Sequence, residues 1–222
     1  MSLLGIDTST AASAACVLRA DGEVFEVAPD PARLAAPPAH ARELMPAVAA
    51  AMDDAGLGYG ELEAVAVGVG PGTFTGLRIG IATARALAAA NGLRLRPVSS
   101  LAALAEGIDA ELRLPLIDAK RGELFAALLE RGGRRLWGPV AEPPERVAER
   151  VREAAVAPLA AGDGSVRFRE VLEAAGIGVV PGGSSAHVVR ALHVCRLAAG
   201  VQGEPPQAVL PDYVRAPDAK PQ

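Results

Sequence analysis

The pattern of apolar and polar positions changes period several times along the chain, and each change marks an element. Residues 2–6 form an apolar run, Asp7-Thr8-Ser9-Thr10 is a polar turn, and 13–19 is a second apolar run. Asp21-Gly22 then reads as a hairpin signal before a third strand at 23–27, which gives an antiparallel start. A proline- and alanine-rich loop at 29–38 leads into a predicted helix over 40–56, with Leu44, Val48, Met52 and Ala55 along one stripe. Pro46 stands near its front, where proline costs least. Residues 62–69 are a buried-strand run, followed by a glycine-rich turn at 68–76 and a helix from Leu77 to a stop at Asn91-Gly92. Together these make a β-β-β-α-β-α lobe, with 95–98 as a linking strand.

The second part opens the same way. Residues 114–117 are apolar, 118–122 turn, and 123–130 return as a strand. Asp118 stands 111 positions after Asp7, at the matching end of its own hairpin. The expectation is an internal duplication: two lobes, residues 1–98 and 99–222, facing one another across a cleft. Beyond the hairpin, 143–155 reads as an amphipathic surface helix, and 157–161 as a small-residue strand entering Gly162-Asp163-Gly164. Next come a short helix at 166–175, a strand at 177–180 and a helix at 185–199 capped by Ser184 or Ser185. From Gly203 a proline-rich strap is expected, anchored by Leu210, Tyr213 and Val214 and frayed beyond Pro217.

Composition narrows the function. Half the residues are apolar while aromatics make up only 3%, so alanine, valine and leucine must build the core with slim helices. A net charge of −4 argues against an autonomous grip on a phosphate backbone. Cys16 and Cys195 lack metal-like spacing and read as free thiols of a reducing, cytoplasmic setting. No apolar run reaches the roughly 18 residues that span a bilayer.

The stretch GVGPGTFTGLRIGIATARALAAANG, residues 68–92, invites a phosphate-binding reading because helix-start amides favour anions. A dinucleotide fingerprint would need glycine where Thr73 stands, and a P-loop would need a lysine that the stretch lacks. Close packing of a slim helix is therefore preferred. His40 opens a helix, yet the residues three and four on are Glu43 and Leu44, so no metal set forms there. His187 and His193 lie six apart, on different faces of their expected helix. Asp7 and Asp118 are the paired carboxylates; Asp7 is kept as a nucleotide contact and Asp118 as structural. No serine sits in a nucleophile elbow, and no catalytic residue is assigned. The Gly162-Asp163-Gly164 segment is read as a turn.

The segments LLGIDTSTAASAACVL, HARELMPAVAAAMDDAGL, AVAVGVGPGTFTGLRIGIATARALA, IDAKRGELFAALLE and PDYVRAPDA resemble the bacterial TsaB family, also called YeaZ. That resemblance implies an α/β, actin-like fold of two ribonuclease-H-like lobes, with mixed sheets flanked by helices. It implies a pseudoenzyme that binds its catalytic relative TsaD and, with the ATPase TsaE, supports transfer of threonylcarbamoyl to N6 of an adenosine beside the anticodon. No cofactor is then held tightly by this chain, ATP and metal enter through partners, and tRNA is met only through the complex. The catalytic relative holds metal with two histidines four apart; here His40 matches the first position and Leu44 replaces the second. The resemblance also implies a helical-bundle interface with TsaD or a second copy, carried to Leu44, Val48, Met52, Leu77, Ile81 and Arg85. A kinase of the same fold and a metallopeptidase stay as alternatives.

Overall fold

The structure, a computed structural model, describes residues 1–215. The expected fraying beyond Pro217 lies outside the described residues. In the first sheet, β1 (Leu3–Asp7), β2 (Ala14–Leu18) and β3 (Val24–Val27) are antiparallel. β4 (Ala64–Gly70) and β5 (Arg94–Ser99) then add in parallel, giving the order β3-β2-β1-β4-β5. The second sheet holds β6 (Leu112–Lys120), β7 (Glu123–Glu130), β8 (Arg135–Glu142), β9 (Leu159–Ala161) and β10 (Gly178–Val179), in the order β10-β9-β6-β7-β8. Its first three strands are again antiparallel and its last two parallel. Strand for strand, β6 to β10 repeat β1 to β5, which is the internal duplication and the actin-like architecture.

Helices α1 (His40–Ala55) and α2 (Phe74–Ala90) cover one face of the first sheet, where Leu44, Val48 and Ile81 interlock with Leu4, Ile6, Val65 and Val67. On the other face lie α3 (Ser100–Glu106) and, from the far end of the chain, α7 (Ala191–Ala198). Between them in sequence come α4 (Pro144–Glu153), α5 (Asp163–Arg167) and α6 (Arg169–Ala174); Val147, Val151 and Leu172 of α4 and α6 fill the outer core of the second sheet. Sandwiched on both faces, β1 is buried at all five positions, which is why it reads as an unbroken apolar run.

The lobes exchange their last helices. α3 follows the first sheet yet reaches β6 and β7, while α7 follows the second and lies on β1 and β2. Gly5 permits this, since a Cβ there would stand 2.5 Å from Cys195 Sγ of α7. Glu26 on β3 fixes the helix: its carboxylate, 4% exposed, pairs with Arg190 and accepts the Leu192 amide at 2.9 Å.

Several elements depart from expectation. α2 begins at Phe74 rather than Leu77. The helix expected over 185–199 is a short 3-10 turn, Ser185–His187 capped by Ser184, followed after an extended Val188 by α7. α3 and β8 are elements that the sequence pattern does not predict. β8 hides because Gly138-Pro139 in its interior reads as a turn; as a half-buried edge strand it tolerates the missing amide. In the strap, Leu210 is 67% exposed, whereas Val214 packs against the inter-lobe core and Tyr213 on Phe74 as expected, and Val209, at 2%, is a further anchor.

Candidate functional site

The acidic turn after β1 and the glycine-rich entry to α2 are built against each other. Asp7, Thr8, Ser9 and Thr10 are all buried. A Cβ on Gly68 would sit 1.8 Å from Asp7 Oδ2, and one on Gly76 would sit 2.0 Å from the Thr8 carbonyl oxygen. Thr8 Oγ1 in turn donates to the Gly76 carbonyl at 2.7 Å, and the Thr73 amide donates to the Ser9 carbonyl at 2.8 Å. The glycines therefore serve close approach of backbone to backbone.

Asp7, 1% exposed, is held entirely by internal donors. Its Oδ1 accepts from the Ser9 amide at 2.8 Å and the Ser9 hydroxyl at 2.6 Å, and its Oδ2 accepts from Ser100 Oγ at 2.8 Å. Burial pushes its carboxyl above the usual range, against the pull of these donors. The expected nucleotide contact is corrected: Asp7 ties β1 to the start of α3.

Nor does Asp118 face Asp7. Leu3, Gly5 and Asp7 form the row of β1 that points to the inter-lobe layer, whereas in β6 that layer receives Ile117 and Ala119. An offset of 111 is odd, and side chains alternate with period two, so the two aspartates project to opposite kinds of face. Asp118 turns outward toward α5, where Lys120 Nζ at 2.9 Å and Arg167 Nη1 at 2.7 Å hold its Oδ2. Despite the cost of its burial, these cations and the Lys120 amide keep its carboxyl below the usual range. Behind it, Asp163 Oδ1 accepts the Asp118 amide at 3.0 Å, and burial pushes Asp163 up to about 6. The Gly162-Asp163-Gly164 segment is more than a turn: it enters α5, with Gly162 at φ 114 against the Leu116 carbonyl.

His40 is 3% exposed; its Nδ1 lies 2.8 Å from Ser13 Oγ and its buried Nε2 has no partner. Burial holds its pKa below the usual imidazole value. Four residues on, Leu44 is in the core. Among the described residues, no group of three or more His, Cys, Asp or Glu is placed to hold a metal ion. The other two histidines, expected on one helix, are buried in separate elements. His187 Nδ1 accepts the Gly162 amide at 3.1 Å with Nε2 facing the Val180 carbonyl, and His193 Nδ1 lies 3.0 Å from the Ala103 carbonyl.

Five of the six expected interface residues turn inward, and the sixth turns to the strap. Leu44, Val48, Met52 and Ile81 pack the first lobe's own core, and Leu77 is 1% exposed beneath Gly70. Arg85 donates to the Gln207 and Val209 carbonyls of the strap. As docking residues they are corrected, because the stripe that gives each helix its period is the stripe buried on the sheet. The outward faces instead carry Met45 and Ala49 on α1, and Ala82 and Ala86 on α2.

Where the lobes meet, a cavity of about 730 Å³ lies between the start of α2, the end of β6 and the strap. The strap crosses it. The Asp212 amide donates to the Val69 carbonyl at 2.8 Å, Tyr213 stacks on Phe74 with centroids 5.5 Å apart, and Arg215 pairs with Glu123 of β7 at 2.7 Å.

The profile of TsaD, tRNA N6-adenosine threonylcarbamoyltransferase, matches residues 33–204. No curated protein sequence matches the chain. Among solved structures, a Pseudomonas aeruginosa protein described as similar to peptidase YEAZ superposes with a TM-score of 0.79 at 30% identity, covering 96% of this chain and 99% of that one. YeaZ from Pseudomonas aeruginosa gives 0.78 at 29% identity, with coverage of 96% and 99%. Together with the duplicated lobes and the glycine-rich entry to α2, these likenesses show that the chain belongs to the TsaD family of tRNA threonylcarbamoyl modification, on its YeaZ (TsaB) side.

Proposed function

We propose that this chain is the non-catalytic activating subunit of a tRNA threonylcarbamoyl-transfer complex, binding and stimulating a TsaD-type relative that carries the chemistry. The observation that carries the reading is the state of the first long helix. His40 Nδ1 is taken up by Ser13, and the position one turn later, where the resemblance puts a second metal-binding histidine in the catalytic relative, is a core leucine. The first acidic turn is likewise spent on internal hydrogen bonds.

What this chain offers a partner is a surface. α1 and α2 lie side by side over one sheet face, and their outward faces carry exposed alanines and Met45, 44% exposed, among the charged Arg42, Asp53, Asp54 and Arg78. Small side chains let a second helix pair come close, and methionine adapts to the shape it meets. A TsaD-type subunit docks there; in its absence a second copy of this chain takes the same face. ATP and metal enter with the catalytic subunit and a TsaE-type ATPase, and tRNA is met through the assembled complex. Docking stimulates by favouring the active arrangement of the partner through differential contacts.

Size-exclusion chromatography of this chain with and without a TsaD-type protein tests the surface. The expected result is a mixed complex that forms with the native chain and is lost with Met45→Asp combined with Ala82→Arg, while the variant's melting temperature is unchanged. A complex that survives this pair of substitutions overturns the docking face.

A further inference from the structure

We propose that the strap is part of the docking face, with Leu210 and the Tyr213–Phe74–Arg78 stack as the anchor on which a TsaD-type subunit seats, which rests on the docking of that subunit proposed above. The outward faces of α1 and α2 carry too little by themselves. They expose fifteen residues, eight on α1 and seven on α2, and seven of the fifteen are alanine. A stable interface takes roughly 20–30 residues a side, with aromatic and arginine anchors carrying most of the energy. The face must therefore continue beyond the two helices.

It continues onto the strap. α1 lies over β2 and β3 and α2 over β4 and β5, so the open flank of α2 is the one on the β5 side. There Glu204 bridges to Leu95 of β5, and Arg85, late in α2, holds the Gln207 and Val209 carbonyls. The chain then runs back along the helix until Tyr213 stacks on Phe74 in its first turn. α1, α2 and the strap thus stand as three neighbouring ridges. Of the eight large apolar side chains that stand exposed among the described residues, four lie on these ridges: Met45, Phe74, Leu210 and Tyr213. Leu210 is the most exposed of the eight, on a segment fixed by buried Val209 before it and by the Asp212 amide after it. An apolar side chain held out to water on an anchored backbone loses little entropy when it is covered.

Arg78 gives the anchor its chemistry. Its guanidinium lies 3.8 Å from the Phe74 ring centroid and its Nε donates to the Tyr213 hydroxyl at 3.3 Å, while no carboxylate among the described residues pairs with it. An exposed arginine oriented in this way, with donors unused, fits a carboxylate on the partner. Phe74, Arg78, Ala82 and Ala86 follow at intervals of four along α2, so the stack heads the same outward row as the alanines that let partner helices come close. The surface that fits is a helix pair bordered by an apolar socket for Leu210 and one acidic side chain for Arg78.

The test is isothermal titration calorimetry of the full chain into a TsaD-type protein, with the native sequence, Leu210→Ser, Arg78→Ala and, as a remote control on β8, Leu136→Ser. Leu210→Ser and Arg78→Ala should each weaken binding at least about tenfold with the melting temperature nearly unchanged, and Leu136→Ser should stay within about twofold. The amides of Leu210, Tyr213 and Val214 should gain protection from hydrogen exchange in the complex. Affinity that changes less than about twofold in both Leu210→Ser and Arg78→Ala overturns the anchor and leaves the α1–α2 face standing. No complex with the native chain overturns the docking itself, and the anchor with it. An equal loss in Leu136→Ser, or a loss confined to self-association of this chain, overturns the assignment of the anchor to a TsaD-type partner.

Discussion

Gly68 and Gly76 set the distance between the acidic turn and α2, and neither can carry a side chain without moving backbone or a buried carboxylate. Gly68→Ala should therefore lower unfolding stability by about 3 kcal/mol, the upper range for overpacking. Gly60→Ala, with nothing within 4 Å of its Cβ, should stay within about 0.5 kcal/mol of the native value in the same urea titration. Asp163 gives a pH signature. Burial keeps its carboxyl protonated up to about 6 in the fold, well above the roughly 3.9 of an exposed aspartate. Its contribution is thus full below about pH 4 and is lost as pH rises through about 6, by roughly 3 kcal/mol at most. Asp163→Asn should match the native chain at pH 4 and exceed it at pH 7.5; equal pH dependence in both contradicts the assignment. The glycine-rich stretch was legible as a packing device from its failed motif matches alone. The role of Asp7 was not, because Ser100, its partner, is 93 positions away and only the fold brings them together.

For the elements, the stripes of α1 and α2 were readable but their direction was not. Periodicity locates one apolar face, and Leu44, Val48 and Ile81 belong to the face that the sheet claims. Leu44→Ala should cost about 3 kcal/mol of stability through the cavity it leaves, whereas Met45→Asp should cost little and act on partner binding. The strap gives a third contrast. Arg85→Ala removes the donor to the Gln207 and Val209 carbonyls, so proteolysis within 203–215 should accelerate several-fold with the melting temperature falling only slightly. The short α3 is not legible in the sequence although Ser99 caps it, since seven residues of serine, alanine, leucine and glutamate carry too little periodicity to stand out. β8 is hard to read because Gly138-Pro139 breaks its local strand pattern, and only pairing with β7 makes it a strand.

Across the whole molecule, duplication was visible in two hairpins and is complete in two sheets of identical strand order. The aspartates that suggested it are not equivalent; the strand order is the stronger signal, and it depends on long-range pairing that no local pattern contains. Exchange of α3 and α7 joins the lobes through one continuous core, while the outward residues of α1 and α2 stay exposed, the face on which the proposed docking rests. The most direct test of that account is reconstituted threonylcarbamoyl transfer to tRNA from a TsaD-type subunit, a TsaE-type ATPase, ATP and threonylcarbamoyl-AMP. Modification should require this chain and fall to the level of its omission with Met45→Asp/Ala82→Arg, the variant remaining folded. Transfer that proceeds equally without this chain, or transfer by this chain alone, would contradict it.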